Sequence, residues 1–93
     1  MNYIKKAKKA FRNAKRRAAK SGAVVYMSPE TKRKVADVYQ IAQEASMTTG
    51  YDWQVDHIVP LSKGGLHTLN NLQVVPAAWN RNKKNNNCDR YWD

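Results

Sequence analysis

The spacing of apolar residues changes once along this chain, after Gly50, and that change limits the folds open to it. Before it the spacing is helical. Tyr3/Ile4, Ala7, Ala10/Phe11, Ala14 and Ala18 recur at three to four residues, predicting a helix over residues 1–22 that Ser21-Gly22 stops. Ala23 to Met27 reads as a short extended connector. Ser28-Pro29-Glu30 then supplies an N-cap, a first-turn proline and an acid at the positive dipole end. A second helix over residues 28–48 follows, with Val35, Val38/Tyr39, Ile41/Ala42 and Ala45 as its core face. After Gly50, Trp53, Val55 and Ile58-Val59 suggest a strand. Pro60 to Asn71 is a twelve-residue loop, Leu72 to Val75 a second strand, and from Pro76 a third helix runs through Trp79, Arg81, Lys83 and Lys84. Two helices, then two short strands with a helix directly behind them, predict an α+β fold. A loop that long in so small a chain is usually functional.

Ninety-three residues allow one domain, 1–93, divided into a basic helix (1–22), a support helix (28–48), a strand–loop–strand–helix unit (53–87) and a tail (88–93). A chain of this size buries only about 60–65% of its unfolded surface, so its core is thin. Cys88 is the only cysteine. An internal disulfide and a cysteine-built zinc site are both excluded, and no structural zinc is expected. Tyr91 and Trp92 are candidate docking residues for the tail, Trp53 and Trp79 read as core, and Cys88 receives no role.

Seventeen Lys+Arg against seven Asp+Glu give a net charge of +10. Nine of those cations lie between Met1 and Gly22, where there is no acid. Solvated helix faces usually mix signs, and this one does not, which favours a polyanionic partner. No apolar run approaches the roughly 18–20 residues that span a bilayer. Nor does a secretory leader stand out. Nucleic acid is therefore the preferred partner over an anionic membrane, and the expected location is intracellular.

The stretch VDHIVPLSKGG sets Asp56 against His57 in an apolar strand. Adjacent strand residues point to opposite faces, so the two are not a simple ion pair. One can address a metal while the other addresses a proton. For an isolated Asp-His dipeptide the bland reading, a surface acid beside a hydrogen-bonded histidine, would prevail. Asn80, however, sits about one turn into the last helix, where its amide oxygen could face the strand. A carboxylate and an amide oxygen, completed by water and phosphate, suit a hard cation such as Mg²⁺. Asn71 closes the long loop and is placed to bridge it and orient His57. His67, inside the loop, could touch phosphate or brace the site; a structural or solvent-facing role is favoured.

VDHIVPLSKGG…NNLQVVPAAWNRNKKN resembles the HNH endonuclease motif, whose fold is the ββα-metal finger. The resemblance covers roughly residues 53–87 and includes Asp-His-Ile-x-Pro-Leu, Asn-Leu-Gln and Asn-Arg-x-Lys. The segment Gly65-Leu66-His67 with Asn71 to Val74 is also similar to small free-standing phage members. The resemblance implies that Asp56 and Asn80 are metal ligands and that His57 is the general base. Asn71 would fix the loop and orient the imidazole through its backbone carbonyl. Members with a third protein ligand carry a histidine where this chain has Lys84, so two protein ligands with Mg²⁺ or Mn²⁺ are implied. The paired Cys-x-x-Cys zinc sites of many relatives are missing here, which leaves the two N-terminal helices to support the finger.

The activity so implied is hydrolysis of double-stranded DNA to 5′-phosphate and 3′-hydroxyl ends. His57, near pKa 6.5 when unperturbed, could take a proton from water. Arg81, Lys83, Lys84 and Lys63 would hold flanking phosphates or else stand as solvated cations. Lys5, Lys8, Arg12, Lys15 and Arg16 would add salt-dependent backbone affinity. Two other classes remain: a non-catalytic basic nucleic-acid-binding protein, and a basic structural or ribosome-associated one. One site per chain leaves a nicking monomer and a double-cutting homodimer equally open.

Overall fold

The computed structural model describes residues 3–20, 22, 25–83 and 87–92. Its order is α1 (Tyr3–Lys20), α2 (Pro29–Thr49), β1 (Trp53–His57), β2 (Leu72–Pro76) and α3 (Ala77–Lys83), an α+β arrangement. Single 3₁₀ turns at Leu61–Lys63 and Leu69–Asn71 give the loop between the strands its shape. No helix among the described residues is long and apolar enough to cross a membrane.

Local chemistry sets the ends of α2. Ser28 Oγ accepts from Thr31 N at 3.2 Å, and at the other end Gly50 N donates to Ser46 O at 3.1 Å. Such an N-cap contributes about 1 kcal/mol. Ser46 also ties α2 to the first strand, because its Oγ accepts from Trp53 N at 2.8 Å and donates to Ala42 O at 3.0 Å. Ala14, Val35 and Tyr39 form the buried centre, with Ala10, Phe11, Met27, Val55, Leu69 and Leu72 packed around it. Phe11 meets Tyr39 edge-on with ring centroids 5.8 Å apart. The core face of α2 is narrower than its sequence suggests. Val35, Tyr39 and Ala42 are buried, whereas Ile41, expected inside, is 53% exposed.

β1 and β2 pair antiparallel, Trp53 opposite Pro76, Asp56 opposite Gln73 and His57 opposite Leu72. Ala77 N donates to Asp52 O at 2.8 Å, which turns the chain directly from β2 into α3. The loop doubles back tightly at its two glycines. Gly64 has φ 86°, and a Cβ on Gly65 would fall 1.9 Å from Val59 O. No side chain fits there. The tail residues Tyr91 and Trp92 dock as expected: Tyr91 packs edge-on against Trp53 and Trp79, with centroids 6.2 and 5.3 Å away. Trp92 Nε1 donates to Val74 O at 2.7 Å, covering an otherwise open strand edge.

Candidate active site

Alternation along β1 separates Asp56 from His57. Asp56 faces α3, where the Lys83 ammonium binds its Oδ2 and Gln73 Nε2 donates to the same oxygen at 2.9 Å. Both contacts fall on Oδ2, so Oδ1 is bonded to no group among the described residues. Gln73 also holds the tail, donating to Asp89 O at 3.0 Å and accepting from Tyr91 N at 2.9 Å. His57 turns the other way. Its Nε2 lies 3.0 Å from Nδ1 of His67, and no group among the described residues bonds its Nδ1.

Asn71 clamps the turn that follows β1. Its Oδ1 accepts from Val59 N at 2.9 Å, while its Nδ2 donates to Val59 O at 3.1 Å and to Leu66 O at 2.8 Å. One amide thereby closes both ends of the loop. The Asn71 carbonyl was expected to orient the imidazole; instead it accepts from Ile58 N at 2.8 Å. The imidazole is oriented by His67.

Of the roles left open for His67 the structure shows the bracing one: it is 2% exposed and meets His57 rather than solvent. Lys83 is a correction. It is 3% exposed, and its ammonium donates to His57 O at 2.8 Å and Ile58 O at 2.9 Å besides meeting Asp56. A cation with every donor engaged inside the fold does not hold flanking phosphates. Arg81, Lys63, Lys5, Lys8, Arg12, Lys15 and Arg16 are exposed, as phosphate contacts must be. Lys84 lies outside the described residues. Sequence reasoning passed over Gln73, although its place opposite Asp56 follows from pairing the two strands at their ends.

Burial pushes His57 down from 6.5 to about 4, helped by His67 and by Arg17 of α1, with Asp56 pulling weakly the other way. His67 is lowered by burial and then by Arg17 and Lys15. Both rings are neutral at pH 7. Burial also raises the Tyr39 hydroxyl to about 12, which makes it a core group rather than an acid.

On α3, Asn80 Nδ2 donates to Gln54 Oε1 at 3.0 Å. With its NH₂ engaged, the amide presents an oxygen that bonds no group among the described residues. Gln54 and Asp56 share one face of β1, and Asn80 and Lys83 stand a turn apart on the helix across from it. Among the described residues no three His, Cys, Asp or Glu cluster as a metal site would require of them alone. The donors at hand are a carboxylate oxygen of Asp56 and the amide oxygen of Asn80. Both are hard oxygens with an open lone pair, and they fit a divalent cation that keeps water or phosphate in its remaining positions. A cavity of about 770 Å³ opens beside Asn80, with Asn13, Arg16 and Arg17 on the α1 side and Gln54 and Asn80 opposite.

A family model described as HNH endonuclease matches residues 41–86, from the middle of α2 to just beyond α3. No curated protein and no solved structure matches the chain.

Proposed function

Residues 41–86 belong to the HNH endonuclease family, and from that premise we propose that the chain is a divalent-metal-dependent DNA endonuclease with His57 as its general base. The observation that carries this reading is the parting of Asp56 and His57 at the end of β1. Asp56 faces α3 through Lys83, whereas His57 keeps Nδ1 clear of bonds to the described residues. Asp56 and Asn80 would hold the metal, Mg²⁺ or Mn²⁺, which when bound would polarise the scissile phosphate and stabilise the departing 3′ oxygen.

His57 accepts a proton from the attacking water. In the free chain it is unprotonated at pH 7 but weakly basic, since its pKa lies near about 4. A phosphodiester brought close adds negative charge, moves the ring back toward its ordinary value and strengthens the base as substrate arrives. Asn71 keeps the loop shut, and Lys83 fixes the end of β1 through the carbonyls of His57 and Ile58. Arg16 and Arg17 line the cavity that Asn80 enters, a place for the backbone on either side of the cut.

Supercoiled plasmid incubated with Mg²⁺ or Mn²⁺ tests the reading. Relaxation that EDTA abolishes and His57→Ala abolishes is expected. Equal nicking by His57→Ala would remove His57 from the mechanism. DNA binding with no nicking under any divalent metal would leave a basic nucleic-acid-binding protein.

A further inference from the structure

His57 and His67 are the chain's two histidines, and both are buried. A hydrogen bond between two neutral imidazoles contains one proton, and its owner fixes the state of both rings. If His67 Nδ1 owns it, His57 Nε2 is the acceptor and His57 carries its own proton on Nδ1. Neither nitrogen of His57 is then free to take a proton from water. If His57 Nε2 owns it, His57 Nδ1 presents a lone pair and His67 carries its proton on Nε2. Only the second arrangement is a base.

That arrangement leaves an N–H at His67 Nε2, a buried atom with no hydrogen-bond partner among the described residues. In the first arrangement the same atom is a buried lone pair without a donor, so it is unsatisfied either way and an acceptor brought to it selects the second arrangement. The same ring lines a cavity of about 250 Å³ with Lys15 of α1, Lys32 of α2, Tyr26 and Met27. Lys15 and Lys32 are exposed, and none of the described lining residues is acidic. Two ammonium groups beside a lining ring whose buried Nε2 lacks a partner among the described residues suit a phosphate.

We propose that this cavity is a subsite for a non-scissile backbone phosphate, and that the phosphate accepts from His67 Nε2–H and so holds His57 in the arrangement whose Nδ1 is the base. The inference rests on the reading of His57 as general base. His67 is a positioning residue for it. No net proton is gained: the shared proton passes from His67 Nδ1 to His57 Nε2, His57 Nδ1 releases one to water, and His67 Nε2 takes one up. Substrate contact away from the cut therefore favours the arrangement that is a base at the cut.

Long-range ¹H–¹⁵N spectra of the labelled chain in EDTA read each ring's arrangement without cleavage. Adding a short DNA duplex is expected to move both rings to the Nε2–H form, and Lys15→Gln with Lys32→Gln to blunt that response. A duplex that binds without moving the rings overturns the proposal. Inorganic phosphate moving them where the duplex does not would make the cavity a free-phosphate site and overturn it equally. In plasmid nicking, His67→Phe should lower kcat about tenfold or more with KM changed far less, a partial loss of the roughly 10²–10⁴-fold that a general base contributes. His67→Asn, whose amide can accept from His57 Nε2, should recover part of it and serves where the Phe variant misfolds. Wild-type kcat in both variants, with His57→Ala inactive, sinks the role of His67 and leaves that of His57. Equal nicking by His57→Ala sinks the base assignment instead, while the ring response to the duplex stays readable.

Discussion

Lys83 reaches Asp56 from the last turn of α3 with its side chain 1% exposed, and the same ammonium ties down two carbonyls at the end of β1. It pins helix to strand beneath the candidate site. Removing one partner of a buried ion pair costs about 3–5 kcal/mol, because the other is left uncompensated. Lys83→Ala should therefore lower unfolding free energy by about that much in urea titration. Exposed Arg81→Ala should change it by less than about 0.5 kcal/mol. Equal, small effects would mean that Lys83 swings out to solvent.

Asn71 makes three side-chain hydrogen bonds to loop backbone, at Val59 N, Val59 O and Leu66 O. Asn71→Ala should cost about 1–3 kcal/mol in denaturant unfolding, since it strands the part-buried N–H and carbonyl of Val59. Asn71→Asp should be worse than Ala near neutral pH. It keeps the acceptor for Val59 N but turns a second oxygen toward two carbonyls. Asp outperforming Ala would mean that the two Nδ2 bonds contribute nothing.

The parts of this site that sequence reveals are those decided locally. Strand alternation separates Asp56 from His57 whatever surrounds them, and the loop from Pro60 through Gly64-Gly65 to Asn71 declares its closure. The sequence leaves His67 open and misplaces Lys83 for the opposite reason. Whether a lysine near a helix end faces solvent or runs beneath a strand depends on how α3 crosses β1, which no local pattern encodes. His67 is buried because the loop turns back through Gly64 and Gly65 against α1, so its surroundings come from residues far earlier in the chain, Lys15 among them. The same dependence on packing left Ile41 outside while Ala42 went in.

His57 supplies a pH signature. Its pKa is lowered on folding, so between about 6.5 and about 4 the unfolded chain binds a proton that the folded chain refuses. The associated stability is complete above 6.5 and is lost as pH falls toward about 4. Lowered His67 acts in the same direction. Wild type should therefore lose stability on acidification through this window, and His57→Asn should flatten the slope. Thermal melts at half-unit steps of pH would measure it; an unchanged slope in the variant would place the titration elsewhere.

Lys5, Lys8, Arg12 and Arg16 stand exposed on one helix. If they bind backbone phosphates, replacing all four with Gln should reduce the slope of log K against log salt for duplex binding. The reduction is about 0.9 for each phosphate no longer neutralised. Fluorescence anisotropy over a salt series reads this directly. A weaker affinity at unchanged slope would make α1 a scaffold for the site rather than a partner of the DNA.

Asp56 and Asn80 are proposed to share one metal, yet the fold asks different things of them. Asp56 neutralises buried Lys83, whereas the Asn80 amide, among the described residues, bonds only the exposed Gln54. Asn80→Ala should thus weaken Mn²⁺ binding and metal-dependent nicking while costing under about 1 kcal/mol of stability. Asp56→Ala should lose the same activity and also about 3–5 kcal/mol, since Lys83 is stranded. The double variant Asp56→Ala/Lys83→Met removes that charge and should regain much of the stability without regaining metal binding. Calorimetric titration with Mn²⁺ beside urea unfolding separates the two roles. Mn²⁺ affinity unchanged in Asn80→Ala would take Asn80 out of the ligand set, and nicking restored in the double variant would take Asp56 out as well.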